Sequence, residues 1–466
     1  MIVSKVNTKL IYKHNNRFEG KHYLNYSSYL SLQLEKNEKQ CCALSSFAEV
    51  FNPPVFKRQF CKNTPRAVPY FQSSDVQSAS ERSVVYIYKG QAQSLNLLVK
   101  ENDILVTGFG TIGNTRLVSK FQNGACYANN VCRIRTTEHT GFIYAFISGK
   151  YGKAQLNTNA SGSVVRYIES PGIKKILVPI FPDTFQQEVD NLIQESARLR
   201  EEAADMLTKA ELLLKTEANL WNLTSEDYDY YGPRNAERKV SCFTVKRKDI
   251  NTTTINAFNL SERIRKTKDS IVCKTKPLRE VLLGGDTFST GSFPRVEVKE
   301  GFGVMLINQK DIFDNIVKGK YISKRGVKTD NLVEYGEVLI AGVGTLGESE
   351  TFCRAIFANE DLVGQLVSGE FIRMKTNDEI PSGYLYAWLA SDYGFRFLRN
   401  IQAGTKLCRP IPKLVLELPV PILNKETMLK IDSIVKEAHT KRYEANNCER
   451  KAIRMVEQEI EKWNKH

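Results

Sequence analysis

The sequence lacks the features of a membrane or secreted protein. No apolar run approaches the roughly 20 residues that a membrane-spanning helix needs. The first residues, MIVSKVNTKLIYKHNN, contain no apolar core of a secretory signal, so we expect a cytoplasmic protein. The ten cysteines are scattered, and none of them forms a CxxC pair. This spacing suits neither a disulfide framework nor a zinc knuckle and predicts reduced thiols.

The usual catalytic signatures are also missing. The chain has five histidines, and no HExxH, Walker loop, GxSxG or paired-acid nuclease motif occurs. Asn52-Pro53-Pro54-Val55 resembles the catalytic motif of DNA amino-methyltransferases, but valine stands where an aromatic must stack on the base. We therefore predict no catalytic residue, no cofactor and no metal site.

Positive charge is present in excess and is unevenly distributed. The net charge of the 466 residues is +14. The helical stretches 184–220 and 425–464 carry −4 and +1, which leaves +17 on the rest of the chain. A basic globular surface favours a polyanion through counterion release, although a merely solvated surface explains the charge equally well.

The chain repeats itself. Residues 103–114, DILVTGFGTIGN, recur as EVLIAGVGTLGE at 337–348. Further pairs follow at offsets of 234 to 242 residues: Phe56-x-Arg58 with Phe293-x-Arg295, 160–163 with 402–405, and Val178-Pro179-Ile180 with Val420-Pro421-Ile422. The histidines do not recur, whereas glycines, arginines and small polar residues do. This duplication is typical of a binding protein with pseudo-twofold symmetry, which suits a partner such as duplex DNA.

Each copy runs into a long amphipathic stretch. Apolar residues at a spacing of three to four predict helices over 183–220 and 424–466, and Asn424 is a suitable cap for the second. We predict an α+β fold with two similar globular domains, whose helices pair as an antiparallel coiled coil. The alternative is that each helix packs on its own domain. The predicted segments are 1–182, 183–220, the linker 221–256, 257–423 and 424–466.

The glycine motif leaves alternatives open. Gly108-Phe-Gly110-Thr-Ile-Gly113 and Gly342-Val-Gly344-Thr-Leu-Gly347 both fit GxGxxG, but strand-like residues follow where a dinucleotide site needs a helix. A turn whose backbone amides approach a phosphate or a base edge is a better interpretation. A tight hairpin turn with no other role is the third possibility.

Polar and basic residues near these motifs are the candidate DNA contacts. Arginine pairs with phosphate or guanine, and small polar turns suit phosphate. The candidates are Lys57, Arg58, Gln72, Ser73, Thr111, Asn114, Ser161, Gly162, Ser163, Arg295, Asn308, Gln309, Lys310, Thr345, Thr405 and Lys406.

Taken in order, the motifs resemble the DNA-specificity (S) subunit of type I restriction–modification systems. The segments that carry the resemblance are RFEGKHYLN (17–25), PVFKRQF, VPYFQSSDV (68–76), DILVTGFGTIGN, FPRVEV, VMLINQKDI (304–312) and GEVLIAGVGTLGE. The second opening, NLSERIR (259–265), matches poorly, and Thr107 and Ala341 stand where the family often has arginine.

The resemblance implies a subunit without catalysis of its own. Two target-recognition domains, 1–182 and 257–423, would each read half of a bipartite double-stranded DNA site. The paired helices would dock two methyltransferase subunits, with Ile193, Leu207, Ile431 and Val435 as contacts, and restriction/translocase subunits would join through the complex. Segments 77–100 and 313–331 are unrelated, which predicts two different half-sites. The remaining alternatives are a protein-binding scaffold and an enzyme with two nucleotide-binding modules.

Overall fold

The computed structural model describes residues 6, 8–13, 18, 20–23, 25–162, 165–228, 244–247, 250 and 253–463. The chain divides into two compact units, each described by itself. Unit 1 comprises Met1–Glu201 with Glu444–His466, and unit 2 comprises Glu202–Tyr443. Each unit therefore contains part of both long helices.

Unit 1 begins with three helices and is then built on short strands. Its elements before the long helix are α1 (Thr8–Lys13), α2 (Gly20–Tyr23), α3 (Tyr26–Lys36), β1 (Cys41–Ala43), β2 (Ala48–Phe51), β3 (Phe60–Cys61), β4 (Ala67–Phe71), β5 (Tyr86–Tyr88), α4 (Lys89–Ser94), β6 (Ile104–Thr107), β7 (Thr115–Leu117), β8 (Cys126–Tyr127), β9 (Val131–Thr136), α5 (Thr140–Ser148), α6 (Lys150–Thr158), α7 (Ser170–Lys174) and β10 (Leu177–Pro179).

Two four-stranded sheets organise unit 1. One has the antiparallel order β2-β9-β6-β7, and the other has the order β3-β5-β4-β8 with a parallel β4–β8 pair. Strand β6 is buried on both faces, since Ile104 and Val106 enter the core beside α5 and α6, whereas Leu105 enters the core of the second sheet. The alternation follows from the two-residue period of a strand, and it places the glycine motif directly at the exit of a fixed strand.

Unit 2 repeats this plan with shorter sheets. Its elements are α9 (Ser225–Tyr228), α10 (Glu262–Asp269), β11 (Thr275–Pro277), α11 (Leu278–Val281), β12 (Gly303–Ile307), β13 (Lys320–Ser323), β14 (Val338–Ala341), β15 (Ala355–Phe357), β16 (Leu366–Val367), β17 (Phe371–Met374), α12 (Ser382–Ala390), α13 (Asp392–Asn400), β18 (Gln402–Ala403), β19 (Arg409–Pro410), α14 (Pro412–Val415) and β20 (Pro419–Pro421). The long helix α8 (Asp183–Glu217) precedes them in the chain.

Strand β14 of unit 2 is the counterpart of β6. It is central in the sheet β15-β14-β17, next to the sheet β13-β12-β16. Val338 and Ile340 enter the core beside α12 and α13, while Leu339 enters the opposite one. The same alternation at equivalent residues makes the two globular parts structural repeats, as the duplicated sequence predicts.

The two long helices are α8 (Asp183–Glu217) and α15 (Lys425–Lys462). Asn424 caps α15 as predicted, because its side chain accepts a hydrogen bond from the backbone N–H of Thr427 at 2.8 Å. The helices meet inside each unit. Ser196 donates to the carbonyl of Ala445 at 2.8 Å in unit 1, and Lys441 pairs with Glu202 at 3.0 Å in unit 2. A continuous antiparallel coiled coil stays a prediction.

Candidate nucleic-acid interface

The glycine motif of unit 1 is the turn of a β-hairpin. Strands β6 and β7 on either side of it pair antiparallel, so no helix follows the glycines. Gly110 and Gly113 have φ angles of +73° and +85°, and a Cβ on Gly108 would lie 2.3 Å from the carbonyl oxygen of Ile168. The dinucleotide interpretation is therefore wrong for this motif, because a phosphate has no helix N-terminus to approach.

Three segments meet at this hairpin. The N–H of Gly108 donates to the carbonyl of Asn130 at 3.1 Å, and its carbonyl accepts from the N–H of Ile168 at 2.8 Å. The amide of Asn130 lies 3.4 Å from the hydroxyl of Ser73. The segment after β4, the glycine hairpin and residues 165–168 thus form one continuous surface, although they are distant in sequence.

An aromatic pair lies on this surface. The rings of Phe109 and Tyr167 stack with centroids 5.5 Å apart and planes tilted by 14°. Both rings remain accessible, with 39% of Phe109 and 38% of Tyr167 exposed. Sequence reasoning missed the pair. Its one available signal was Phe109, an aromatic residue between two glycines in a turn that had to be exposed.

Most candidate DNA contacts of unit 1 are accessible. Those exposed are Lys57, Arg58, Gln72, Thr111, Ser161 and Gly162, whereas Ser73 and Asn114 are half-buried. Ser163 lies outside the described residues. The guanidinium of Arg58 sits 5.7 Å from the centroid of Tyr70, in the strand that leads to Gln72. Phe56 packs against the core, so the segment holds Arg58 at the surface.

Unit 2 brings the equivalent three segments together. The N–H of Gly342 donates to the carbonyl of Glu370 at 3.0 Å, and a Cβ there would lie 2.6 Å from that oxygen. Gly344 and Cys408 exchange two backbone hydrogen bonds of 3.1 and 2.7 Å. The glycine loop of unit 2 (residues 342–348) is thereby joined to the β18–β19 hairpin, which contains the small polar turn at Thr405.

Gln309 makes the third connection, and this corrects a prediction. Its side-chain carbonyl accepts from the N–H of Val343 at 3.0 Å, and its amide donates to the carbonyl of the same residue. Gln309 is only 8% exposed. Because the side chain is almost fully buried and both of its polar ends bond to backbone, Gln309 holds the glycine loop in place and is inaccessible to a base edge.

The other candidates in unit 2 remain at the surface. Asn308, Lys310, Arg295, Thr405 and Lys406 are exposed, and Thr345 is half-buried. Asn308 donates to Asp311 at 3.0 Å, whereas the Arg295 guanidinium lies 5.8 Å from the ring centroid of Phe293. Arg58 and Arg295 thus share an arrangement in which the guanidinium rests against an aromatic ring.

The predicted methyltransferase contacts need a correction. Ile193 is 2% exposed, and Ile431 and Val435 are fully buried. All three belong to the hydrophobic cores of their own units. Their side chains are therefore inaccessible to a second subunit, because the apolar face of each long helix is covered by other residues of this chain. Leu207 is partly buried, and its role stays a prediction.

A buried arginine supports the hairpin base in each unit. In unit 1, Arg133 donates to the carbonyls of Val131, Leu97 and Tyr127 at 2.9 to 3.1 Å, and burial lowers its pKa to about 10. Asp103 pairs instead with Arg135 at 2.8 Å, and that hydrogen bond raises the pKa of Arg135. These contacts fix the chain before β9, where Asn130 touches the hairpin.

The part of the chain that the structure describes contains neither a candidate metal site nor a candidate membrane-spanning helix. No group of three or more His, Cys, Asp or Glu among those residues is arranged to hold a metal ion. Within the same ranges, no helix combines the length and the apolar character that crossing a membrane requires. The nine cysteines in the part of the chain that the structure describes are all free thiols.

Comparison with known proteins identifies the first globular part. Residues 36–194 match the family model of the type I restriction modification DNA specificity domain. This stretch is similar to that domain. The match includes β1 to β10 and the start of α8, and therefore the complete glycine-hairpin surface. The resemblance to DNA-specificity subunits is confirmed over these residues.

Similar solved structures include two specificity subunits. The type I restriction–modification system S subunit from M. genitalium is 13% identical with a TM-score of 0.36, over 91% of this chain and 95% of that chain. The HsdS subunit from Thermoanaerobacter tengcongensis is 14% identical with a TM-score of 0.27, over 91% and 95%. No curated protein matches the sequence.

Proposed function

We propose that this chain binds DNA at a bipartite, asymmetric site and directs methyltransferase and restriction subunits to it. One observation carries the proposal: the three-segment surface around a glycine turn is built twice, on equivalent strands β6 and β14. Each surface presents backbone amides and small polar side chains, which position a duplex, beside exposed arginines that can pair with guanine or phosphate.

The two surfaces differ at equivalent positions, which supports two different half-sites. Phe109 of unit 1 is replaced by the buried Val343 in unit 2. Asn114, which offers both a donor and an acceptor, is replaced by the carboxylate of Glu348. Because base edges differ in their donor and acceptor pattern, surfaces this dissimilar favour dissimilar sequences. A palindromic target would contradict the proposal.

The long helices are the proposed docking surface for two methyltransferase subunits. The apolar faces of these helices are buried within this chain, so a methyltransferase subunit must contact exposed positions. Leu212 on α8 is 64% exposed and Leu429 on α15 is 50% exposed, both within unit 2. Exposed leucines on a helix offer apolar area to a partner without disturbing the buried face. Restriction and translocase subunits would join through the assembled complex, and the chain itself would supply no cofactor or catalysis.

The decisive experiment is a map of methylated adenines in host DNA with and without the gene, by single-molecule sequencing. Loss of one split, asymmetric motif on deletion is the expected result. An unchanged map would count against the proposal if the chain nevertheless co-purifies with a methyltransferase. Absence of any DNA affinity in that purified complex would leave the scaffold alternative.

A further inference from the structure

Three arginines surround one phenylalanine in unit 2. The guanidinium carbons of Arg354, Arg396 and Arg399 lie 4.8, 5.1 and 4.2 Å from the ring centroid of Phe395. We call this group the arginine cluster. Arg396 is also packed on the ring of Tyr228 at 3.6 Å. Arginine suits such a group, because a planar guanidinium can pack against aromatic rings and also carries five N–H donors that bind anions.

The cluster has too little negative charge of its own. Among the described residues, Glu348 is the carboxylate that pairs with it, and its two oxygens accept from Arg396 at 2.7 and 2.6 Å. Arg399 is 3.7 Å from the same carboxylate, and Arg354 donates to backbone carbonyls of Glu348 and Glu350. Three positive charges therefore share one ion-paired carboxylate.

Burial makes this imbalance costly. The side chains of Arg396 and Arg399 are 13% and 5% exposed, whereas that of Glu348 is 54% exposed. Desolvation lowers the pKa of Arg399 to about 10 and also lowers that of Arg354. The Nε–H groups of Arg396 and Arg399 are buried and have no acceptor within the described structure. Excess buried cations with unused donors favour a further anion.

The accessible member of the group is the carboxylate. Glu348 lies in the glycine loop, and Arg399 donates to the loop carbonyls of Leu346 and Gly347 at 2.9 Å each. An anion that replaced Glu348 would therefore bind beside the surface that we propose for DNA. A phosphate diester presents oxygens with the spacing of a carboxylate, so it can take over the two-point contact with Arg396.

The sequence of unit 1 lacks these residues at the equivalent positions. Aligning Tyr151-Gly152 with Tyr393-Gly394 places Ala154 opposite Arg396 and Asn157 opposite Arg399. Lys153 stands opposite Phe395, so the aromatic centre is missing as well. The cluster is not a requirement of the shared fold, which argues for a role specific to unit 2.

We propose that a phosphate of the DNA backbone displaces Glu348 from Arg396 and binds in the arginine cluster, with Glu348 occupying the site in the free protein. This proposal rests on the proposed function, because it names the DNA group that unit 2 holds. Glu348 then acts as a competitor for the phosphate and weakens binding to any anion until a duplex is positioned over the glycine loop.

The test uses the full chain and two single substitutions at the pair. Glu348→Gln removes the competing charge, and Arg396→Gln removes the fork that holds the phosphate. Glu350→Gln is the matched control, since it makes the same charge change in the same loop without a side-chain contact to Arg396. Binding to a duplex of random sequence is measured by fluorescence anisotropy over a series of salt concentrations.

We expect Glu348→Gln to bind at least threefold more tightly than Glu350→Gln at low salt. Arg396→Gln should reduce the slope of log affinity against log salt by about 1, the contribution of one phosphate contact. Equal affinities of the two glutamine variants, together with an unchanged slope for a folded Arg396→Gln, would overturn the proposal. If Arg396→Gln does not fold, the comparison of Glu348→Gln with Glu350→Gln decides alone.

A second probe separates this site from the proposed function. Inorganic pyrophosphate should raise the melting temperature of Glu348→Gln more than that of Glu350→Gln at equal ionic strength. Pyrophosphate protection without any DNA binding would preserve the anion site and refute the DNA role. Sequence-specific DNA binding with no difference between the two variants would support the DNA role and refute the anion site.

Discussion

Arg373 and Glu337 form a buried two-point ion pair in unit 2, with Nε and Nη2 of the arginine each 2.8 Å from a carboxylate oxygen. Arg373 also donates to the carbonyls of Asn331 and Leu332. The equivalent Arg133 of unit 1 likewise donates to three carbonyls, but there the shorter Asp103 pairs with Arg135. Both members of the unit 2 pair are almost fully buried. The two equivalent strands thus both contain the arginine, and the units differ in which arginine the neighbouring carboxylate pairs with.

This pair leads to a stability prediction. Glu337→Gln should lower the free energy of unfolding by about 3–5 kcal/mol, because it leaves the buried Arg373 without a compensating charge. Urea denaturation measures the loss. Asp103→Asn in unit 1 is the matched control with an expected cost of about 1 kcal/mol, since the Arg135 side chain is 21% exposed and water screens its charge. Equal losses would contradict the distinction between the two pairs.

The repeat and its turns could be predicted from the sequence, whereas the contact partners of individual side chains could not. Paired glycines at 108–113 and 342–347 marked turns that only glycine tolerates, and the residues after them read as strand. No feature of the sequence around Gln309 indicated that its side-chain amide would bond to the backbone of Val343. Similarly, the apolar spacing around Ile431 predicted a buried helix face, but it could not show whether this chain or a second subunit covers that face. Such assignments depend on tertiary contacts between residues distant in sequence.

The contact between the long helices in unit 1 contains a buried polar network. Glu449 accepts from the hydroxyl of Tyr144 at 3.0 Å and forms an ion pair with Arg200 at 2.7 Å, and Arg200 also donates to Asn446 at 2.8 Å. Glu449→Ala should cost about 3–5 kcal/mol of unfolding free energy, because Arg200 stays buried and unpaired. Glu459→Ala, on the exposed face of the same helix, should cost less than about 0.5 kcal/mol. A similar small effect at both positions would refute the network.

A buried histidine in unit 2 predicts a dependence of stability on pH. His439 is 4% exposed between the rings of Phe357 and Tyr386, and burial together with the nearby Arg442 holds its pKa well below 6.5. Below pH 6.5 the unfolded chain takes up a proton that the folded chain refuses, so stability falls as pH decreases. Between pH 7 and pH 5 the loss should reach about 1–2 kcal/mol.

His439→Leu isolates this effect. The variant should show a smaller loss of stability than the natural chain between pH 7 and pH 5, whatever its absolute stability, because the proton-accepting group is gone in both states. Urea titrations at the two pH values measure the difference. Identical losses for the variant and the natural chain would remove His439 as the cause.

The exposed arginines lead to a prediction about affinity. Arg58→Ala or Arg295→Ala should weaken binding to the cognate site by about 1–3 kcal/mol, through loss of a guanine or phosphate contact. A titration at fixed salt, with the methyltransferase present, measures the change. Lys310→Ala tests whether any exposed cation of the surface has the same effect. Unchanged affinity in both arginine variants would remove them from the interface.

The aromatic pair should contribute to binding in a way that salt does not alter. Phe109→Ala and Tyr167→Ala each remove one ring from the exposed stack, and with it an apolar contact with a base edge such as the thymine methyl group, so each should weaken binding to the duplex. Because no charge changes, the slope of log affinity against log salt should stay that of the natural chain, whereas an arginine substitution at a phosphate contact lowers it. Leu407→Ala, an exposed apolar residue in the corresponding turn of unit 2, controls for loss of apolar surface alone. Weaker binding with an unchanged slope in both ring variants, absent from Leu407→Ala, would place the stack against the DNA; full affinity in both would restrict it to supporting the hairpin.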